Sequence, residues 1–411
     1  MGIVFEQYLT KCFSIAISSA KAVVDDGQTV QRLGTEEEGG DSNTLNSLAS
    51  LMDACERVLE DACACCSILS ATDPPHVVSV PFIASPSILG GIMAQLVKVL
   101  SALHDLDDLL KSALVSVGDT TVMMVTDNIN VDEDQQGHQG DENDNDDDKD
   151  TSAKEERGRA LRSFLRESRE SISCGMESAF EILSVLIQVA KNDTFLAAMG
   201  DDADVQCLAL MLCRFSACCY ESVSMSSIML IGLLGQKDGQ IREQQPSISG
   251  RILIQPRINA LLSNAVLRVL ETHVTKVTAA AAAGPTVTVS VGTLLDQLGV
   301  VDVALGTFID LHASDDLDLL QNFLRLNALQ RLTDLVQFFD KSVNTARQLQ
   351  QQQQGGSKIK SRGKKEEYMV TGDVGEDENE EDRLSDMFSN FDDTASNAKS
   401  FLEYKTLYVN R

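Results

Sequence analysis

Apolar residues in this chain recur every three to four positions, and that spacing restricts it to helices packed against helices. Phe5, Leu9, Phe13 and Ile17 stand four apart, and Ala20, Val23 and Val24 continue the same face until Asp25-Asp26-Gly27 ends it. Such a stripe predicts a helix of about five or six turns with one buried side. A second stripe joins Leu45, Leu48, Leu51, Met52, Cys55, Val58 and Leu59 and extends to Cys66 and Leu69. A third, over 88–115, holds Ile92, Leu96, Val99, Leu100, Leu103, Leu106, Leu109 and Leu110. No stretch alternates convincingly as a strand would. The composition agrees, because 43% of the residues are apolar but only 5% are aromatic and none is Trp. A core of Leu, Val, Ile, Ala, Met and Cys suits helix-on-helix packing better than a β-sandwich.

Between two such blocks lies an acidic stretch. Residues 127–150 hold eleven Asp or Glu against one Lys, Lys149, and almost no apolar residue after Val131. A segment of this kind cannot bury enough apolar surface to offset its ordering entropy, so a solvated, self-repelling loop is expected. Dense negative charge attracts basic partners from a distance. The candidate partner-binding residues are therefore carboxylates taken as a group: Asp132, Glu133, Asp134, Asp141, Glu142, Asp144, Asp146, Asp147, Asp148 and Asp150. Beyond them the sign changes. Lys154, Arg157, Arg159, Arg162, Arg166 and Arg169 share a predicted helix with Leu161, Phe164 and Leu165. The whole chain carries a formal net charge of −28, which argues against direct binding of nucleic acid or an anionic membrane.

The helical pattern strengthens from Met176. Phe180, Ile182, Leu183, Leu186 and Ile187 form one stripe, and Val205, Leu208, Leu210, Met211 and Leu212 another. Residues 228–234 are wholly apolar and expected to be buried, whereas 235–245 read as a polar linker. Helices are predicted again around 258–270, 294–311, 317–326 and 329–343. The expected fold is all-α. Helix pairs recurring loosely at about 40 to 50 residues suggest an α-solenoid of armadillo or HEAT-like repeats, interrupted by a long disordered acidic loop. An irregular helical bundle is the alternative. The expected organisation is N-terminal helical repeats over 1–125, the acidic loop over 126–157, and further repeats over 158–345. A low-complexity polar and acidic linker over 346–383 and a C-terminal helix over 384–411 complete it.

The chemistry-bearing patterns are missing. No phosphate loop, dinucleotide-binding glycine motif or Gly-x-Ser-x-Gly elbow occurs. The five histidines, His76, His104, His138, His273 and His312, are scattered, and in a helix His104 and its neighbour Asp105 point apart. Residues 141, 143 and 145 follow the Asp-x-Asn-x-Asn pattern of a calcium loop, but Asp146 replaces the required Gly and Ser152 the required Glu. Ten cysteines, including Cys63, Cys65 and Cys66 and then Cys213, Cys218 and Cys219, lack zinc-ligand spacing and read as small buried hydrophobes of a reducing compartment. No catalytic residue, cofactor or metal is expected. No stretch reads as transmembrane or as a secretory signal, and Glu6 stands where a myristoylation motif wants Ser or Thr.

The last third supports a comparison. Val301-Asp-Val-Ala-Leu-Gly-Thr-Phe-Ile-Asp-Leu-His-Ala-Ser-Asp-Asp-Leu has the order of an apolar helix ending in an acidic turn. Phe323-Leu-Arg-Leu-Asn-Ala-Leu-Gln-Arg-Leu, a helix reaching Phe338-Phe-Asp-Lys, and Asn397-Ala-Lys-Ser-Phe-Leu-Glu-Tyr-Lys follow it. Together these pieces resemble the C-terminal end of the symportin family, HEAT-repeat import adaptors for ribosomal proteins. An acidic loop interrupting a helical array is a second shared trait. The resemblance implies a carrier and chaperone in large ribosomal subunit biogenesis, moving between cytoplasm and nucleus. Its partners would be the basic 5S-particle proteins uL18 and uL5, together with an importin. A generic α-solenoid interaction scaffold without a ribosomal role is the competing expectation.

Overall fold

Two prolines set helix starts in this chain. Pro86 and Pro256 each occupy a first helical position, where the missing N–H is not needed and the fixed φ suits the helix. The first intrahelical bonds follow at once, from the Leu89 N–H to the Ser85 carbonyl at 3.0 Å and from the Asn259 N–H to the Gln255 carbonyl at 2.8 Å. A computed structural model describes residues 2–25, 42–70, 85–116, 148–199, 202–244, 255–282, 291–312 and 317–334, with isolated positions beyond. Among the described residues the secondary structure is helical and no strand occurs. The helices are α1 (Gly2–Asp25), α2 (Ser42–Ser70), α3 (Pro86–Ser116), α4 (Asp148–Val189) and α5 (Asn192–Ala198). They continue as α6 (Asp202–Ser216), α7 (Glu221–Gln244), α8 (Pro256–Ala282), α9 (Val291–Leu311) and α10 (Leu317–Arg325). The all-α expectation holds.

The chain divides into two units, residues 1–211 with 218–226, and residues 212–217 with 227–411. In the first, α1 packs on α2 and α3, and α4 packs on α2 and α3 in turn. The Cys55 thiol reaches the Ala16 carbonyl, while Tyr8 and Cys12 lie by Cys65 and Asp61, so α1 and α2 run antiparallel. Arg169 meets Asp107 and Gly175 faces Leu103, so α3 and α4 are antiparallel as well. Two helix hairpins therefore stack, through α1 on α3 and α2 on α4. Leu9 and Phe13 of α1, Leu59 of α2, Leu96 and Leu100 of α3, and Phe180 and Leu183 of α4 fill the centre with almost no exposure. Each such side chain contributes on the order of 1.5–3 kcal/mol through burial.

The helices are longer than their apolar stripes suggest. The basic segment and the Met176 stripe belong to one helix of 42 residues, which begins at Asp148. By length and composition, α3 and the Gly158–Val189 part of α4 could also cross a membrane, contrary to the expectation that no stretch would. In the fold both are core helices of the first unit.

Glycines mark two kinds of helix surface at the start of α3. A Cβ on Gly90 would sit 2.8 Å from the Ala198 carbonyl oxygen of α5, whereas one on Gly91 would meet nothing within 4 Å. Gly90→Ala is expected to destabilise the protein by about 1–3 kcal/mol, since α5 backbone must shift. Gly91→Ala, on an open helix surface, is expected to stabilise it by roughly 0.5–1 kcal/mol. Chemical denaturation of the two neighbours gives opposite signs if the α3–α5 contact is as close as described.

In the second unit, α8 packs on α9 and α10. α7 approaches α9 closely, because a Cβ on Gly232 would come within 2.9 Å of Thr307 Oγ1 and one on Gly235 within 3.4 Å of Leu311. Residues 235–244, expected as a polar linker, are the last turns of α7. Lys237 and Asp238 are buried there, and Asp238 accepts a 2.8 Å hydrogen bond from Arg242 Nε one turn on. Within the apolar run, Ile228, Leu230 and Ile231 are buried but Met229 is 57% exposed. Asn327, at φ 51°, ends α10 in the left-handed conformation that Asn tolerates better than most residues.

Candidate functional site

Two charged arrangements stand out, both in the first unit. The first is an acidic face where α2 meets α4. Glu56 and Glu60, four apart, share one side of α2. Glu170, Cys174 and Glu177, at helical spacing, share one side of α4. The Cys174 thiol records how these groups converge. Burial raises its pKa first, and the negative charges of Glu56, Glu177, Glu170 and Glu60 raise it further. Glu177 accepts hydrogen bonds from Ser173 Oγ, at 3.4 Å, and from Ser222 Oγ. No ion pair among the described residues neutralises Glu56, Glu60 or Glu170.

The second arrangement is a buried charge cluster. Arg169 of α4 donates from Nε to Asp107 Oδ1 of α3 at 2.8 Å, and its Nη2 lies 3.4 Å from Oδ2. The two side chains are 9% and 7% exposed. Tyr220, just before α7, donates from Oη to the same Asp107 Oδ1 at 2.5 Å and offers its ring to the guanidinium, 5.3 Å from the centroid. Arg169 Nη2 also reaches the Cys219 sulfur at 3.4 Å. Burial alone would lower the Arg169 pKa, but the hydrogen bond and charge of Asp107 outweigh it and raise it. Burial first, and then the Asp107 carboxylate, push the Tyr220 hydroxyl up. Asp107 thus serves three elements at once, as the fixed negative centre of a cation and a phenol.

The carboxylates expected to bind partners fall mostly outside the described residues, namely Asp132, Glu133, Asp134, Asp141, Glu142, Asp144, Asp146 and Asp147. Asp148 and Asp150 belong to the first turn of α4. His104, weighed against its neighbour Asp105, pairs one turn on with Asp108 at 3.2 Å. None of the ten cysteines forms a disulfide. Cys12, Cys55, Cys63 and Cys66 are buried as expected of small hydrophobes, but Cys207 is exposed and Cys218 and Cys219 are partly so. Among the described residues no three His, Cys, Asp or Glu side chains are placed to share a metal ion.

Sequence reasoning missed both arrangements, but the buried charge cluster left a trace. Asp107 stands on the Leu103–Leu110 stripe and Arg169 on the stripe that joins Leu165 to Ile172. A lone charge of opposite sign on each of two apolar faces is the signature of a buried pair. Compared with known proteins, the chain matches no protein-family model, no curated protein and no solved structure.

Proposed function

We propose that this protein is a non-catalytic binding protein that shields basic polypeptides on an acidic surface. Its first candidate cargoes are the ribosomal proteins uL18 and uL5, which it would accompany between cytoplasm and nucleus as an import adaptor and chaperone. The observation that carries this reading is the placement of negative charge. The acidic α2/α4 face and the first turn of α4, where the acidic stretch ends, occur in the same unit of a chain of net charge −28. Free ribosomal proteins are strongly basic, and a fixed acidic surface both steers them in and competes with nucleic acid for them. The ribosomal identity of the cargo rests on the C-terminal resemblance alone.

An α-solenoid of armadillo or HEAT-like repeats is the finer architecture that fits this reading. The stacking of α1 on α3 and α2 on α4 supports it, since that is one step of such an array. The first hairpin spans residues 2–70, well beyond the repeat of about 40–47 residues usual for that class, so any array here uses long helices.

The test is a salt-titrated binding assay of the full chain against recombinant uL18 and uL5. It compares the native chain with a deletion of residues 132–147 and with a Glu56→Gln, Glu60→Gln, Glu170→Gln variant. Raising salt from about 0.05 M to about 0.3 M is expected to weaken binding roughly tenfold or more, because the Debye length shrinks across that range. Deletion and neutralisation are each expected to flatten that dependence. Binding that ignores salt and both changes would point to a scaffold held by packing. Absence of binding at low salt would remove uL18 and uL5 as cargo.

A further inference from the structure

The turn between α6 and α7 places two cysteines side by side against a buried cation. Cys218 and Cys219 are adjacent, partly exposed and outside the helices. Arg169 Nη2 lies 3.4 Å from the Cys219 sulfur, and Lys111 adds positive charge nearby. Asp107 opposes them, and its own contacts to Arg169 and Tyr220 hold it in place.

We propose that Cys219 is a peroxide-reactive thiol and that Cys218 resolves it, so that oxidation closes a Cys218–Cys219 disulfide at this turn. The charge environment assigns the roles. The neighbouring Cys218 thiol first, and then Arg169 in contact with the sulfur and Lys111, favour the thiolate of Cys219 against burial and the Asp107 charge. The neighbouring Cys219 and burial push the Cys218 thiol up. The other described thiols with a shifted pKa, those of Cys12, Cys55, Cys66, Cys174 and Cys213, all move up through burial, so they are the poorer nucleophiles.

The steps balance with hydrogen peroxide as the oxidant. The Cys219 thiolate attacks one peroxide oxygen and the O–O bond breaks. Cys219 becomes a sulfenic acid, and hydroxide leaves. The Cys218 sulfur then attacks the Cys219 sulfur, and the sulfenic hydroxyl departs as water with the Cys218 proton. The two thiols lose two electrons to peroxide. Adjacent Cα atoms lie about 3.8 Å apart across a trans peptide, short of the usual disulfide range of about 4.4–6.8 Å, so the ring is strained and easily reduced. The product is thus a reversible mark. Once its sulfur is oxidised, Cys219 no longer offers negative charge to Arg169.

The test treats the full-length chain with about one equivalent of hydrogen peroxide near neutral pH and maps the products by peptide mass spectrometry. The peptide carrying Cys218 and Cys219 is expected to lose two hydrogens and to regain them with a mild thiol reductant. In Cys218→Ser the two-hydrogen loss should vanish, and a 1,3-dione should instead trap the sulfenic acid at Cys219. In parallel, iodoacetamide at about pH 6.5 is expected to alkylate Cys219 roughly tenfold faster than the more exposed Cys207, as thiolate character rather than access then governs the rate. Lys111→Met, which leaves the Asp107–Arg169 pair in place, is expected to slow Cys219 alkylation. Oxidation of Cys207 before Cys219, or alkylation of Cys219 no faster than of Cys207, would overturn the proposal.

Discussion

Asp107→Ala is expected to lower the unfolding free energy by about 3–5 kcal/mol, because it strands the Arg169 guanidinium where water cannot compensate it. Tyr220 loses its acceptor in the same step, and the tie between α3, α4 and the start of α7 goes with it. Removing both charges has a different outcome. Asp107→Leu combined with Arg169→Met abolishes the desolvation penalty along with the attraction, and apolar replacements of similar volume often match or exceed a buried pair. The double variant is therefore expected to recover most of the single variant's loss. Urea denaturation followed by circular dichroism reads both. Equal losses for the single and double variants would mean that packing around the cluster, and not its charge, sets its contribution.

Phe323→Ala is the counterpart in the second unit and is expected to cost about 3–5 kcal/mol through the cavity it leaves. Phe323 is fully buried, with its ring centroid 6.1 Å from Phe308, 5.6 Å from His312 and 6.1 Å from Phe401. His312 is itself held by Ser263 Oγ at 2.9 Å and stacked on Phe308 at 4.6 Å. A truncated Phe323 removes the contact all three rings share, and the hydrogen-bonded imidazole limits how far the site can collapse. Phe323→Leu, which keeps most of the volume, is expected to lose much less. A loss near 1 kcal/mol for the Ala variant would show instead that the cluster closes over the gap.

Helix positions were readable wherever one apolar stripe ran uninterrupted. The stripes of α1, α2 and α3 fix those helices to within a few residues, and Pro86 supplies a start signal. The reading weakened where small and polar residues interrupt a stripe. Ser168, Ser173 and Gly175 look like the end of a basic helix, yet they lie inside α4. A Cβ on Gly175 would come within 3.3 Å of Leu59 and 3.7 Å of Leu103, so this glycine marks a close approach of three helices and not a break. Gly235, Lys237 and Asp238 misled in the same way, since the glycine serves contact with α9 and the acid pairs along its own helix. The acidic face was not legible at all. It needs α2 beside α4, and only tertiary packing brings Glu56 and Glu60 next to Glu170 and Glu177.

The register of α4 against its neighbours has a consequence for reach. Asp107 opposite Arg169 brings the end of α3, at Ser116, level with about residue 160 of α4. Leu59 opposite Gly175 lets no turn of α2 extend past about residue 158, whichever way α2 runs. Among the described residues, residues 148–157 are helical with no turn of α2 or α3 beside them, an overhang of roughly 15 Å at about 1.5 Å per residue. This boom carries the downstream end of the acidic stretch clear of the packed helices. Its length is a design variable, since each inserted helical turn would move that end outward by about 5.4 Å and rotate it little. Standoff distance from the packed helices is thus set by helix length and not by charge.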